Sequence, residues 1–289
     1  MRKYNRINEN FLAKLLIYIK LSFHIIWKLI TKQTSLKLTY LHVVNKLINK
    51  PKDNDDFNWN VYHHFYSQEL KLGENNHTLI INKKNFKFKK NEIIKTNSQA
   101  KNLHPNHKLL YETILKINPK SILEIGCGGG DHLANLNLIN NNFKISGVDR
   151  SHEQINILRK RHPKLKASIK IKDITMKNCQ IESADLIYTQ AVLMHISETK
   201  GRLKYALNNI LKATKKHLIL IENWKSHHFL NELNKIIKET PKFKSFKFYV
   251  CKSSSHESIR ALVLSKKELS ITKLNSYDDL LQEKTLRTH

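Results

Sequence analysis

The stretch "SILEIGCGGGD", Ser121–Asp131, holds most of the glycine of this chain. Of seven glycines in 289 residues, four fall within the five positions 126–130. The apolar residues before them are typical of a buried strand, and the residues after them predict a helix. Glycines at such a turn let the backbone adopt positive φ and approach a ligand closely, and the helix start offers unpaired N–H groups. The stretch therefore predicts a ligand site at the carboxyl end of a strand.

From Ser121 onward, short apolar strands alternate with helices. The predicted strands are 121–126, 144–149, 167–172, 185–189 and 217–222, and the predicted helices lie near 131–138, 151–162, 190–213 and 226–239. Continuous apolar strands joined by helices indicate a parallel sheet covered on both faces. Two more strands, 245–251 and 259–265, are joined by a connection so short that they must pair antiparallel. A helix over 104–117 and a hairpin around Asn82–Asn85 are predicted before the sheet.

The glycine spacing narrows the class of ligand. The dinucleotide fingerprint G-x-G-x-x-G requires a sixth residue that is glycine, and here that residue is Asp131. The spacing G-x-G-x-G is satisfied instead, by Gly126, Gly128 and Gly130. Glu124 stands two residues before the loop, where a carboxylate would repel a pyrophosphate but attract a cationic sulfonium.

Asp149 ends the second predicted strand, 23 residues past the first glycine of the loop. A carboxylate at that position can accept hydrogen bonds from both hydroxyls of a ribose. The glycine loop and Asp149 together indicate a nucleoside cofactor, and Glu124 favours S-adenosylmethionine.

Four segments carry a resemblance to a known family: "LEIGCGGG", "GVDRS", "KIKDIT" and "DLIYTQAVLMHI". In this order they resemble the successive motifs of class I S-adenosylmethionine-dependent methyltransferases, over roughly residues 104–265. The resemblance implies an α/β fold with a Rossmann-like, mostly parallel seven-stranded sheet in the order 3-2-1-4-5-7-6. The last strand would be antiparallel, and helices would cover both faces. It also implies methyltransferase activity with S-adenosylmethionine as cofactor.

The resemblance further implies a cofactor-binding set at the strand ends. Its members are Glu124, Gly126, Gly128 and Gly130 at the methionine and ribose, Asp149 at the ribose, Asp173 and Ile174 at the adenine, and Thr189 and Gln190 at the methionine end. His104, Asn106 and His107, just before the first strand, are candidates to close over the cofactor. A helix N-cap role for Asn106 is the alternative.

Methyl transfer from a sulfonium is an in-line displacement, so alignment and exclusion of water supply much of its rate. A base is needed only where the acceptor must lose a proton. His195, just past the fourth strand, is the candidate base, and a packing histidine is the alternative. Glu222, which ends the fifth strand, is the second candidate catalytic residue. His227 and His228 follow it, either as substrate contacts or as inert exposed residues.

The residues after the fourth strand bear on the acceptor. They read "TQAV", not the N/D-P-P-Y of enzymes that methylate exocyclic amino groups of bases, and they include no cysteine to attack a pyrimidine ring. We therefore expect a small-molecule, lipid or glycan acceptor. The alternatives are an RNA methyltransferase that uses the basic surface and a non-catalytic, cofactor-binding partner subunit.

The chain is strongly basic, with 51 Lys and Arg against 24 Asp and Glu, a formal net charge of +27. This balance indicates either codon bias or a polyanionic partner, which would be nucleic acid or anionic lipid.

Residues 1–50 carry ten basic residues and one acid. Residues 11–30 are apolar but contain Lys14, Lys20 and Lys28, too many charges for a spanning helix. These lysines share one arc and predict an amphipathic helix on an anionic membrane surface, with packing on the core or on a partner as the alternative.

The predicted organisation is a basic helical extension (1–50), a linker and small cap region (51–103), the catalytic domain (104–268) and a C-terminal tail (269–289). The three cysteines are too few and too scattered for a disulfide framework or a zinc site. We therefore expect a cytoplasmic protein without a metal, held at the inner face of the membrane by residues 1–50. Cys127, inside the glycine loop, is predicted to be structural.

Overall fold

The computed structural model describes residues 78–222, 229–252 and 260–274. The strands are β1 Phe86–Lys89, β2 Glu92–Lys95, β3 Ser121–Ile125, β4 Lys144–Asp149, β5 Ser168–Ile171, β6 Ala184–Gln190, β7 Thr214–Ile221, β8 Lys247–Lys252, β9 Arg260–Ser265 and β10 Thr272–Lys273. The α-helices are α1 Pro105–Ile117, α2 Asp131–Ile139, α3 His152–Arg161, α4 Arg202–Ala213 and α5 Phe229–Glu239. The predicted helix of residues 11–30, His227 and His228 lie outside the described residues.

Eight strands form the main sheet in the order β10-β8-β9-β7-β6-β3-β4-β5. The strands β5, β4, β3, β6 and β7 are parallel, and β9 runs antiparallel to both β7 and β8. The predicted fold class is confirmed, and the strands β3 to β9 follow the expected order. The expected count of seven was one too low, because the two-residue strand β10 adds to the edge beyond β8.

The central strands β3 and β6 are mostly apolar and buried because both of their faces are covered. On one face α4 and α5 pack against residues such as Leu123 and Ile187. On the other face α1, α2 and α3 pack against residues such as Ile122 and Leu186. Because β3, β4, β6 and β7 are parallel, their carboxyl ends meet at one edge of the sheet, where the cofactor site was predicted. None of the described helices is both long and apolar enough to cross a membrane.

The helix predicted over 190–213 was wrong over its first half. The α-helix begins only at Arg202, and the preceding residues form two short 3₁₀ helices, Leu193–His195 and Thr199–Gly201. Ala191 and Lys200 both have φ 52°, in the left-handed region that a right-handed helix excludes. The result is a loop at the carboxyl end of β6, and this loop carries His195.

The predicted N-terminal hairpin exists, but its turn was misplaced. Strands β1 and β2 pair antiparallel with Lys89 opposite Glu92, so the chain reverses at residues 90–91. The polar cluster at 82–85 forms a separate turn just before β1, closed by bonds to the Asn82 carbonyl oxygen. The hairpin packs on α1, where the Ile93 N–H donates to Oε1 of Glu112 at 3.1 Å.

Candidate functional site

The glycine loop between β3 and α2 requires glycine for two separate reasons. Gly126, Gly128 and Gly130 all have positive φ, at 72°, 48° and 80°. A Cβ atom on Gly126 would lie 2.5 Å from Cγ2 of Val192, and one on Gly130 would lie 2.4 Å from Cγ of Leu158. A Cβ atom on Gly128 would meet no atom closer than 3.7 Å. Two of the glycines thus permit close packing from other elements, and the third leaves open space at the loop.

Asp149, at the end of β4, is bonded to this loop. Its Oδ2 accepts from the Gly128 N–H at 2.9 Å and its Oδ1 from the Ser151 N–H at 2.8 Å. Burial raises the pKa of Asp149, against these two backbone bonds and the nearby Arg150, which lower it. A carboxylate has about four acceptor positions, so each oxygen can still accept a ligand hydroxyl. Asp149, which is predicted to bind the ribose, therefore also fixes the glycine loop at Gly128, the glycine beside open space.

Glu124 lies under the loop and is almost fully buried, with 2% of its surface exposed. Its neighbour across the strand pair is Tyr188 of β6. Burial raises the pKa of Glu124 well above its ordinary value; Tyr188 lowers it, and the charges of Asp149 and Asp131 raise it further. Tyr188 interacts with Glu124, but within the described residues neither Oε2 of Glu124 nor the Tyr188 hydroxyl makes a hydrogen bond of ordinary distance and angle.

Further buried polar atoms at this end of the sheet share that property. They are the Oδ1 of Asn106 and the Oε1 of Gln190. Buried polar atoms without partners are costly in a folded protein and call for a ligand or water to satisfy them. Thr189 and Gln190 end β6, the strand beside β3 and its Glu124, so Oε1 of Gln190 lies at the edge of the sheet where the amino-acid end of the cofactor is predicted.

Asp173 follows β5, at the predicted adenine side. Its Oδ1 closes a turn by accepting from the N–H and the hydroxyl of Thr175, at 2.9 and 2.7 Å. Its Oδ2 lies 3.9 Å from Arg150 and 3.9 Å from Arg202. Ile174 beside it is buried in the core. The sequence did not predict Arg202, because nothing in its local pattern links the start of α4 to the loop after β5.

His195 and Glu222 lie at the ends of the neighbouring strands β6 and β7. His195 is half-buried and ends the 3₁₀ helix after β6. Glu222 is 3% exposed, and its Oε1 and Oε2 accept from the N–H groups of Val192 and Met194, at 3.0 and 3.3 Å. Burial raises the pKa of Glu222 to about 6, against these bonds, which lower it. The structure thus brings both candidate catalytic residues to one loop.

The start of α1 differs from the prediction in its capping residue. The N-cap is His104, whose Nδ1 accepts from the Asn106 N–H at 3.2 Å, so the N-cap role considered for Asn106 was wrong. Asn106 and His107 are both buried. The ring of His107 contacts that of His132, the second residue of α2, at 4.6 Å between centroids. This contact brings the start of α1 beside the start of α2, the helix that follows the glycine loop.

His132 joins a buried polar cluster that sequence analysis missed. Its Nδ1 is 2.7 Å from the Tyr111 hydroxyl, which also accepts from Nδ2 of Asn135 at 2.8 Å. Burial lowers the pKa of His132 to about 4, so its ring is neutral near pH 7. Cys127 is also buried, and burial raises the pKa of its thiol well above the ordinary value, which agrees with a structural role.

A family model described as a methyltransferase domain matches residues 118–279. Similar solved structures include a TehB-like SAM-dependent methyltransferase from Corynebacterium glutamicum, at 15% identity and a TM-score of 0.47, over 71% of this chain and 98% of that chain. The methyltransferase domain of a bacterial CtHen1 matches at 16% identity and a TM-score of 0.44, over 55% of this chain and 96% of that chain. Magnesium protoporphyrin IX methyltransferase from Synechocystis matches at 16% identity and a TM-score of 0.38, over 50% of this chain and 69% of that chain. No curated protein matches the sequence.

The family model covers more than half of the chain, including the glycine loop, Asp149 and both candidate catalytic residues. The chain therefore belongs to the class I S-adenosylmethionine-dependent methyltransferases, and S-adenosylmethionine is its cofactor.

Proposed function

We propose that the enzyme methylates a small-molecule, lipid or glycan acceptor at a group that His195 deprotonates. The observation that carries this proposal is the loop after β6. It holds none of the residues that position a nucleobase for exocyclic amino methylation, and it ends in a half-buried histidine at the edge that bears the glycine loop. A neutral imidazole is suited to take a proton from an acceptor near pH 7.

We propose that the cofactor is held by the residues that the family resemblance implies, and the described contacts support two of these roles. Asp149 would hold the ribose hydroxyls, since its two oxygens are already aimed by backbone N–H groups. Glu124 would meet the cationic amino-acid end, because its buried Oε2 has no standard hydrogen-bond partner among the described residues. Asp173 would meet the adenine amino group. When bound, S-adenosylmethionine supplies the electrophilic methyl group.

The test is transfer of a labelled methyl group from S-adenosylmethionine into fractionated lipid, glycan, small-molecule, RNA and protein pools of the native cell. We expect the label in the lipid, glycan or small-molecule pool. The net charge of +27 favours one second candidate, an RNA acceptor held by phosphate contacts. Label confined to the RNA pool would overturn the first proposal in favour of the second.

His195→Ala should lower kcat about 100-fold at saturating cofactor and leave cofactor affinity nearly unchanged, because a base acts only in the chemical step. The measurement is turnover together with calorimetric cofactor binding. His152→Ala, which removes an exposed histidine of α3, is the matched control and should change neither. A His195 variant that loses stability but keeps its turnover would make His195 a packing residue.

We also propose that residues 1–50 hold the enzyme at an anionic membrane surface. Their excess of nine positive charges would attract anionic lipid at about 1 kcal/mol per basic residue near the surface. Deleting them should abolish sedimentation with phosphatidylglycerol vesicles and leave cofactor binding intact. High salt should weaken the association of the full chain, because only the electrostatic part is screened. A full-length protein that ignores these vesicles at low salt would assign the segment to the core or to a protein interface.

A further inference from the structure

The loop after β6 is held in an unfavourable backbone conformation. Ala191 has φ 52°, a conformation that costs a non-glycine residue free energy and persists only where surrounding contacts offset that cost. One bond, from the Ala191 N–H to the Ile221 carbonyl oxygen at 3.0 Å, ties the loop to β7. The 3₁₀ helix that follows has no side-chain cap from its own N-cap residue, Val192. Its first N–H groups therefore need an acceptor from elsewhere.

Glu222 supplies that acceptor from the neighbouring strand end. Its two carboxylate oxygens accept from Val192 and Met194, the residues on either side of Leu193. Hydrogen bonds from backbone N–H groups to a carboxylate are stronger than those to a neutral acceptor, so Glu222 stabilises the start of this 3₁₀ helix. The contact joins β7 to the loop across a short distance, since Gln190 and Ile221 are register partners in the sheet.

The same loop also backs the cofactor site. The Val192 side chain packs against Gly126 so closely that a Cβ atom on Gly126 would lie only 2.5 Å from Cγ2 of Val192. A shift of Val192 would therefore change the position of the glycine loop on one side and of His195 on the other. Glu222 accepts a hydrogen bond from the backbone N–H of Val192 itself. This one buried carboxylate therefore helps to fix Val192, and with it the position of the glycine loop and of His195.

Resting on the proposed function, we propose that Glu222 is a positioning residue for methyl transfer and not a proton acceptor. Its carboxylate sets the loop that presents His195 and packs Val192 against Gly126. Burial favours the positioning role: the carboxylate faces the backbone N–H groups of the loop, and only 3% of the residue is exposed to an incoming acceptor. A base that receives the acceptor's proton needs an oxygen open to that acceptor.

The deciding experiment is amide hydrogen exchange in Glu222→Gln, followed residue by residue at Val192 and Met194. Glutamine keeps the shape but offers one acceptor oxygen and turns an amide group toward the second N–H. We expect exchange at these two amides to quicken about 10- to 100-fold, as for the loss of a hydrogen bond to a charged group. Exchange in the middle of β6 and β7 should not change. The kcat should fall by a similar factor, with a smaller change in the KM for cofactor.

Asp185→Asn is the matched control. Asp185 is a buried carboxylate at the opposite end of β6, and it accepts from the Lys120 N–H at 3.3 Å and pairs with Lys216 at 2.9 Å. Its loss should leave exchange at Val192 and Met194 unchanged. If Glu222→Gln fails to fold, Glu222→Asp retains the charge on a shorter side chain and should show an intermediate increase in exchange.

Two outcomes would overturn the proposal. Unchanged exchange with lost turnover would make Glu222 a direct participant in proton transfer, and unchanged exchange with full turnover would leave it without either role. The exchange measurement needs no acceptor substrate. Failure to find any methylated product with the wild-type enzyme would therefore count against the proposed function alone, and the exchange rates would still show whether Glu222 holds the loop.

Discussion

Asp149→Ala should weaken S-adenosylmethionine binding by about 100- to 10,000-fold. The carboxylate stands at the ribose end of the site, and each hydrogen bond to a charged group is worth about 1.5–3 kcal/mol. Two ribose hydroxyls would lose their acceptor together, and every 1.4 kcal/mol corresponds to about a tenfold change in affinity. The variant also loses the bond from Asp149 to the Gly128 N–H, so the loop itself becomes less ordered.

Calorimetry with S-adenosylmethionine and with its demethylated product measures this effect. Asp149→Asn should give a smaller loss, because one oxygen remains to accept while the new amide group faces one of the two backbone N–H donors. Asp131→Asn is the control beside the loop. The Asp131 carboxylate is already bound by Arg161 at 3.0 Å and His162 at 2.8 Å, so its loss should lower the free energy of unfolding and spare affinity. Equal cofactor affinity in wild type and Asp149→Ala, or a preference for NAD, would contradict the assignment.

The strands of the sheet could be predicted from the sequence because a strand that is buried on both faces appears as a short run of mostly apolar residues. Strands such as β3 and β6 are mostly apolar, and each ends within one residue of its predicted end. The order of the strands was not contained in this pattern. It came from the resemblance to the methyltransferase family, which the glycine spacing and Asp149 brought into view.

The loop after β6 could not be predicted, for a physical reason. Apolar residues continue through Leu193 and Ile196 into α4 at spacings that suit a helix, and all of them are buried. What breaks the helix is the backbone of Ala191 and Lys200, two residue types that give no sequence signal for positive φ. The loop is held by contacts from β7 and from the glycine loop, which are distant along the chain.

The site shows the same division between residue types and their partners. Spacing selected Gly126, Gly130 and Asp149, because glycine and aspartate are distinctive at the ends of strands. Spacing did not select Val192 or Leu158, whose side chains a Cβ atom on Gly126 or Gly130 would clash with. Ordinary core side chains acquire that role only through the fold.

Gly130→Ala should destabilise the protein by about 2–5 kcal/mol, which is large against the stability of a typical domain. Gly130 is the N-cap of α2 with φ 80°, and a left-handed non-glycine residue costs about 1–2 kcal/mol. The new Cβ atom would also lie 2.4 Å from Cγ of Leu158, a residue 3% exposed in the core, and overpacking of this kind costs about 1–3 kcal/mol more.

Gly128→Ala separates these two contributions in urea unfolding experiments. Its φ is also positive, at 48°, but the nearest atom to the new Cβ, Oε1 of Gln154, is 3.7 Å away. This variant should therefore show only the backbone cost of about 1–2 kcal/mol. Adding Leu158→Ala to Gly130→Ala removes the clashing side chain, so the double variant should be more stable than the sum of the two single effects predicts. If Gly128→Ala and Gly130→Ala prove equally destabilising and the pair with Leu158→Ala is strictly additive, the contact between Gly130 and Leu158 does not restrict the loop.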